Sequence, residues 1–146
     1  MTATLTGGCQ CGAVRYALRA DLDSAHVCHC RMCQKATGGL FAALVGAPKD
    51  KIVWTKGEPA YFASSSIATR GFCPLCGTPL TFAYNDPKAR FYVTMGSLDS
   101  PEATPPAKQY GVESRIGWVR FCEDVPGAVT GEHDPSFFEG MENRQA

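Results

Sequence analysis

Six residues early in the chain, Cys28-His29-Cys30-Arg31-Met32-Cys33, carry three thiols in the order C-x-C-x-x-C. Thiolate is the nucleophilic form of cysteine and a soft metal ligand, so three of them this close can share one cation. Cys9-Gln10-Cys11 precedes the run and Cys73-Pro74-Leu75-Cys76 follows it, which places seven of the eight cysteines in ligand-like clusters. Four thiolates saturate a tetrahedral zinc. Seven therefore suggest one closed site and one with an open position, where chemistry can happen. Spacing alone leaves the partnership undecided: Cys30 and Cys33 pair with Cys73 and Cys76 as readily as Cys9 and Cys11 do.

Disulfides are the competing use of eight cysteines. Residues two apart in C-x-C are poorly placed to bridge each other. The start of the chain, MTATLTGGCQCGAV, shows no basic stretch followed by an apolar one, so a signal peptide is not expected. A cytoplasmic location follows as the expectation, and there thiols stay reduced and clustered cysteines point to metal.

The elements that must position these clusters read as mainly β. Gly7 to Gly12 forms a glycine-rich knuckle. Val14, Tyr16 and Leu18 then alternate with Arg15 and Arg19, the pattern of a half-buried strand over 13–19. Residues 31–37 permit a short helix stopped by Gly38-Gly39. Further strands are expected at 40–45, 51–55, 61–63, 66–69, 79–84, 90–95, 109–113 and 118–121, with Asn85-Asp86-Pro87 turning a hairpin. The zinc knuckles fall at strand ends. One domain is expected over 1–126, followed by a partly ordered tail, 127–146, with Phe137 and Phe138 docked on the body.

Composition fits this reading. Of 146 residues, 45% are apolar and 19% charged, and 14 basic side chains balance 14 acidic ones. A net charge of zero argues against a nucleic-acid partner. No apolar run approaches the ~20 residues of a membrane span.

The pieces GGCQCGAVRY, CHCRMCQKATGG, RGFCPLCGTPL, MGSLDSP and VESRIGWVRFCEDVP, in this order over residues 7–126, resemble the glutathione-dependent formaldehyde-activating enzymes and their CENP-V-like relatives. The resemblance implies strongly bent β-sheets, as in small zinc-binding β proteins and methionine sulfoxide reductase B. It also implies a ligand partition. Cys9, Cys11, Cys73 and Cys76 would close a structural zinc site, and Cys28, Cys30 and Cys33 would hold a second zinc with an open fourth position. The activity implied is that of a carbon–sulfur lyase similar to S-(hydroxymethyl)glutathione synthase, with a small-molecule thiol and an aldehyde as partners.

The chemistry at such a centre is modest in size. A thiol of pKa ~8.5 is about 3% ionised at pH 7, so full ionisation gains at most ~30-fold. Holding the thiol and formaldehyde together in a dry site contributes more. The carboxylates of glutathione favour cations, and Arg31, Lys35 and Arg70 lie beside the clusters, although solvated surface charges would look the same. Backbone amides at Gly38 and Gly39 offer a further peptide contact or a plain helix stop.

The histidines are ambiguous. His29, between two ligands, is expected to point away from the metal, in reach of a supporting or proton-carrying role. His26 is a strand-end residue that could fill the fourth position; His133 lies in the tail. Cys122, outside the clusters, reads as a buried strand cysteine, and Trp54, Trp118 and Tyr92 read as core. A nucleobase deaminase would need H-x-E before P-C-x-x-C, and neither half is present. A methionine sulfoxide reductase would leave the Cys9/Cys11 pair unexplained. A non-enzymatic zinc module with both sites closed is the competing class.

Overall fold

Val14, Tyr16 and Leu18 are each at most 2% exposed, while the flanking arginines face outward, as the alternation requires. The computed structural model in which they sit describes residues 4–19 and 24–120, with 126, 129, 139, 140 and 142 besides. The expectations for Cys122, His133, Phe137 and Phe138 lie outside the described residues.

Ten strands and one α-helix carry the described chain. In order they are β1 (Thr4–Gly8), β2 (Arg15–Arg19), β3 (His26–Cys28), α1 (Arg31–Thr37), β4 (Ala42–Ala47) and β5 (Ile52–Lys56). The second half adds β6 (Ala60–Ser65), β7 (Ala68–Phe72), β8 (Pro79–Tyr84), β9 (Phe91–Thr94) and β10 (Lys108–Tyr110). The protein is mainly β. No described helix is long and apolar enough to cross a membrane.

Two sheets result. The smaller runs β1-β2-β5 and the larger β10-β3-β4-β9-β8-β7-β6. Their facing sides meet in one core, where Tyr16 and Leu18 of β2 pack with Val45 of β4, Leu80 of β8 and Val93 of β9. The buried Tyr16 hydroxyl is 2.7 Å from Ser97 Oγ, so its polar end has a partner inside the core. Irregular register between Arg15 and Tyr16, Ala63 and Ser65, and Gly71 and Phe72 bends the sheets locally.

Three expectations change. The chain forms a strand at Thr4–Gly8 that the apolar pattern does not announce, because its pairing with Arg15–Arg19 rests on backbone hydrogen bonds rather than on apolar side chains. Residues 118–120 form no strand, and Trp118 is 71% exposed rather than part of the core. The late strand stops at Tyr110 because Gly111, at φ +63°, turns the chain into a short helical turn at Val112–Ser114.

Candidate metal centres

Two tight turns bring the first centre together. In the N-terminal one, Gly12 N–H donates to Cys9 O (3.1 Å) and Val14 N–H donates to Cys9 Sγ (3.2 Å). In the second, Gly77 N–H donates to Cys73 O (2.9 Å) and Cys73 N–H to Thr78 O (3.0 Å). Gln10 N–H donates to Thr78 Oγ1 (3.1 Å) and ties the turns to each other. The sulfurs of Cys9, Cys11, Cys73 and Cys76 all lie within 4.8 Å of one another. Cys9–Cys11 and Cys11–Cys73 measure 3.5 and 3.9 Å. A tetrahedron with metal–sulfur bonds of ~2.3 Å has edges of about 3.8 Å, so the donor set matches a four-thiolate metal ion in chemistry and size. All seven described cysteines are free thiols, which leaves them available for this.

The second centre is built at one corner. Cys28 ends β3, Cys30 caps α1, and Cys33 lies in its first turn. Cys30 is an unusual cap: its Sγ accepts from Cys33 N–H (3.4 Å), so the sulfur that starts the helix also faces the next sulfur in the cluster. Gly38, left-handed at φ +67°, closes the helix by donating to Gln34 O (3.0 Å). The three sulfurs lie within 4.8 Å of one another, and no His, Asp or Glu among the described residues joins them.

The segment after Ala107 braces this corner from outside. β10 pairs in parallel with β3, aligning Tyr110 with Cys28. His29 N–H donates to Tyr110 O (2.9 Å), and the Gln34 side-chain amide donates to His29 O (2.8 Å) and Ser114 O (3.1 Å). Fully buried His29 turns its ring to Gln109, with Nε2 2.9 Å from Oε1, and stays out of the sulfur cluster as its position between two ligands suggests. His26 is also outside the cluster. Its Nδ1 meets Ser24 O at 2.9 Å, and its ring packs edge-on against Tyr92 and Tyr110.

Ionisation in the second cluster is uneven. Burial pushes the Cys28 thiol up to about 12, against a backbone hydrogen bond from Cys30. Burial also opposes ionisation of Cys30, but the amides of Cys33 and Met32 and the neighbouring thiols outweigh it and lower that thiol. In the first cluster, burial opposes ionisation of Cys76, yet hydrogen bonds to Thr78 and Cys11 bring it down to about 6. Burial opposes ionisation of Cys9 in the first cluster too, but hydrogen bonds from Val14, Cys11 and Cys73 outweigh it and lower that thiol as well. A bound cation would draw off the remaining thiol protons in both clusters.

The three cations expected near the clusters separate into two roles. Arg70 of β7 donates through Nη2 to Cys33 Sγ (3.4 Å) and through Nε to Ser64 Oγ (3.1 Å), with its guanidinium 4.8 Å from the Phe82 ring centre. Arg31 and Lys35 stand exposed one turn apart on α1, and Arg31 bonds Gln34 Oε1. With Arg70 they line a cleft of about 580 Å3. A second chamber, of about 390 Å3, has Cys28, Cys30 and Cys33 on one side and His26, Phe82 and Tyr92 on another. Met32, Leu44 and Arg70 line both.

Sequence reasoning missed the aromatic chamber and the brace. Tyr92 was expected in the core; it is half-buried, packs on the buried cluster of Cys33, Ala42 and Leu44, and also lines the chamber over the sulfurs. Trp54 does pack on the core, 5.8 Å from Tyr16. The signal for the chamber lay in Phe82 and Tyr84, two apart on β8 and so on one face.

A mainly β chain with one four-cysteine and one three-cysteine cluster at strand ends has the makings of a two-centre metalloprotein. The family profile of glutathione-dependent formaldehyde-activating enzymes matches residues 4–114, and the chain belongs to this family. It is 32% identical over 87 residues to an uncharacterized lyase of Schizosaccharomyces pombe, a match covering 60% of this chain and 63% of that protein's length. The crystal structure of a Rhodobacter sphaeroides protein superposes with a TM-score of 0.55 at 21% identity, covering 71% of this chain and 98% of that one. That likeness is one of fold.

Proposed function

We propose that the protein is a zinc-dependent carbon–sulfur lyase-type enzyme that joins glutathione, or a related thiol, to formaldehyde or a small aldehyde. The observation carrying this reading is the contrast between the two clusters. Four sulfurs complete a tetrahedron in one; three sulfurs beside two clefts leave a place for a ligand in the other. Under this reading Cys9, Cys11, Cys73 and Cys76 are structural ligands, and Cys28, Cys30 and Cys33 hold the working ion. When bound there, zinc supplies a positive charge that favours the thiolate form of an incoming thiol.

The chain's own residues do the rest. Arg31 and Lys35 offer cationic partners for the carboxylates of glutathione, within one cleft of the cluster. Arg70 donates to Cys33 Sγ and so steadies a sulfur set that would otherwise concentrate negative charge. The aromatic chamber gives the side of the cluster where a carbonyl compound would enter a largely apolar lining. In the reaction the thiol sulfur bonds to the carbonyl carbon, and the thiol's proton ends on the carbonyl oxygen.

The test is metal content per chain followed by calorimetric titration of the zinc-loaded protein with glutathione, with and without formaldehyde. Two zinc ions, with glutathione binding abolished by Cys28→Ser, is the expected result. Two zinc ions and no thiol binding would instead indicate a non-enzymatic module with both sites closed.

A further inference from the structure

Four of the large apolar side chains that stand exposed gather at one place. Met32 (49%), Ile67 (62%), Tyr84 (44%) and Tyr110 (50%) all line the chamber over the three-cysteine cluster. Behind them the rings continue inward: Phe82 lies 5.0 Å from Tyr84 and 6.1 Å from Tyr92, and His26 lies 5.3 Å from Tyr92 and 5.0 Å from Tyr110. An apolar patch that is concave, ringed by aromatic side chains and floored by metal-ligating sulfurs has the form of a substrate pocket.

We infer that this chamber takes the apolar substituent of the carbonyl substrate, and that the enzyme prefers an aldehyde bearing an aromatic ring to formaldehyde. The inference rests on the proposed thiol–aldehyde reaction at Cys28, Cys30 and Cys33. Three observations assign the two substrates to the two clefts. The exposed cations Arg31 and Lys35 line the other cleft and not this one. Arg70, shared by both, is already occupied with Cys33, Ser64 and the face of Phe82. Among the described residues no carboxylate lines the chamber, so a cationic group finds no anionic partner inside it. Formaldehyde, with only hydrogens on its carbonyl carbon, would leave a space of about 390 Å3 almost unused. A phenyl group would occupy far more of it and would cover part of the rings now exposed. Chemistry at the carbonyl is unchanged: the C–S bond forms, and the thiol's proton passes to the carbonyl oxygen to give a hemithioacetal.

The experiment has a binding arm and a selectivity arm, both on the zinc-loaded full chain. Benzyl alcohol, which cannot react with a thiol, is titrated in by NMR against the wild type, Ile67→Ala and Ile67→Asp. Ile67 is exposed in a turn, so both variants should fold. Saturable binding is expected, weakened roughly three- to tenfold by the alanine and more than tenfold by a charge placed against the bound ring. In the second arm, glutathione is held constant and the catalysed rate above background is compared for formaldehyde and phenylacetaldehyde. Filling the chamber should favour phenylacetaldehyde by roughly tenfold or more in kcat/KM, a preference that Ile67→Asp erases. Glutathione binding without benzyl alcohol binding would overturn the inference and leave the thiol reaction standing. A preference that follows an aryl group on the thiol instead would overturn the assignment of the chamber to the aldehyde. Benzyl alcohol binding lost in Ile67→Asp would support the chamber even if glutathione failed to bind, and only the thiol reaction would then fall.

Discussion

Arg70 Nη2 lies 3.4 Å from Cys33 Sγ, joining the middle of β7 to the first turn of α1 across some 37 residues of chain. The same guanidinium is held by Ser64 Oγ and by the Phe82 ring, so its aim at the sulfur is fixed from two other sides. A donor to a ligating sulfur is the kind of support that commonly sets metal affinity. Replacing Arg70 with leucine should weaken metal retention at the three-cysteine centre by roughly 10–100-fold while the four-cysteine centre is unaffected. Competition with a chelator, following the sulfur-to-metal absorption of the cobalt-substituted protein, would separate the two centres. Equal loss at both would show that Arg70 supports the fold rather than the cluster.

The two centres should differ in what they do for stability. The four-cysteine cluster ties the turn after β1 to the turn after β7, some 60 residues later, whereas the three-cysteine cluster is local to β3 and α1. Structural zinc sites are worth roughly 10–16 kcal/mol in small domains, comparable to the ~5–15 kcal/mol that holds an ordinary domain folded. Cys73→Ser should therefore abolish cooperative unfolding, and Cys33→Ser should leave a cooperative transition at somewhat lower temperature. Thermal melts by circular dichroism, with metal content measured on the same samples, check both.

Much of this arrangement was legible, and the reason differs by feature. Cysteine spacing marks clusters because ligand geometry is short-range: Cys28, Cys30 and Cys33 are brought together by one strand end and one helical turn. Alternation at Val14, Tyr16 and Leu18 identifies a buried face because it is a property of one strand. What covers that face is not such a property. Tyr92 reads as a core residue and does pack on Cys33, Ala42 and Leu44, yet its ring also lines the chamber, which nothing in its own strand announces. Nor does anything local in Lys108–Tyr110 announce a parallel pairing with β3, some 80 residues upstream, which depends on register between distant segments. Trp118 shows the same limit in reverse, a large apolar residue that the described chain leaves exposed.

Acid sensitivity should be detectable at the Arg15–Asp99 pair. Arg15 donates to both Asp99 oxygens, Thr6 Oγ1 donates to Oδ2 (2.6 Å), and together they hold the carboxyl below its ordinary range. The folded pKa thus lies below the unfolded value of ~3.9. The contribution to stability is then complete above about pH 4 and is lost as pH falls through the folded value. Both side chains are partly exposed, at 32% and 43%, so the loss is at most about 1 kcal/mol. Asp99→Asn should cost that much at neutral pH and flatten the acid limb of stability below about pH 4. Urea unfolding at a series of pH values measures both, and an unchanged acid limb would remove Asp99 from the account.

Gly111 tests whether the brace over the three-cysteine centre matters. A Cβ there would lie 2.6 Å from the backbone nitrogen of Cys30, and its φ of +63° already disfavours any other residue. Gly111→Ala should cost roughly 1–2 kcal/mol for the left-handed backbone and a further ~1–3 kcal/mol for crowding. The crowded atom belongs to Cys30, a ligand of the proposed zinc, so the strain should reach a metal bound there. The expected pattern is loss of the ion at the three-cysteine centre at lower chelator concentration, with the four-cysteine centre retained. Gly117→Ala, where a Cβ would meet nothing within 4 Å, is the matched control. If Gly111→Ala lowers global stability but leaves metal affinity at both centres unchanged, the segment from Lys108 to Ser114 only closes the sheet edge. If it loosens the three-cysteine ion selectively, that segment is what holds Cys30 in place.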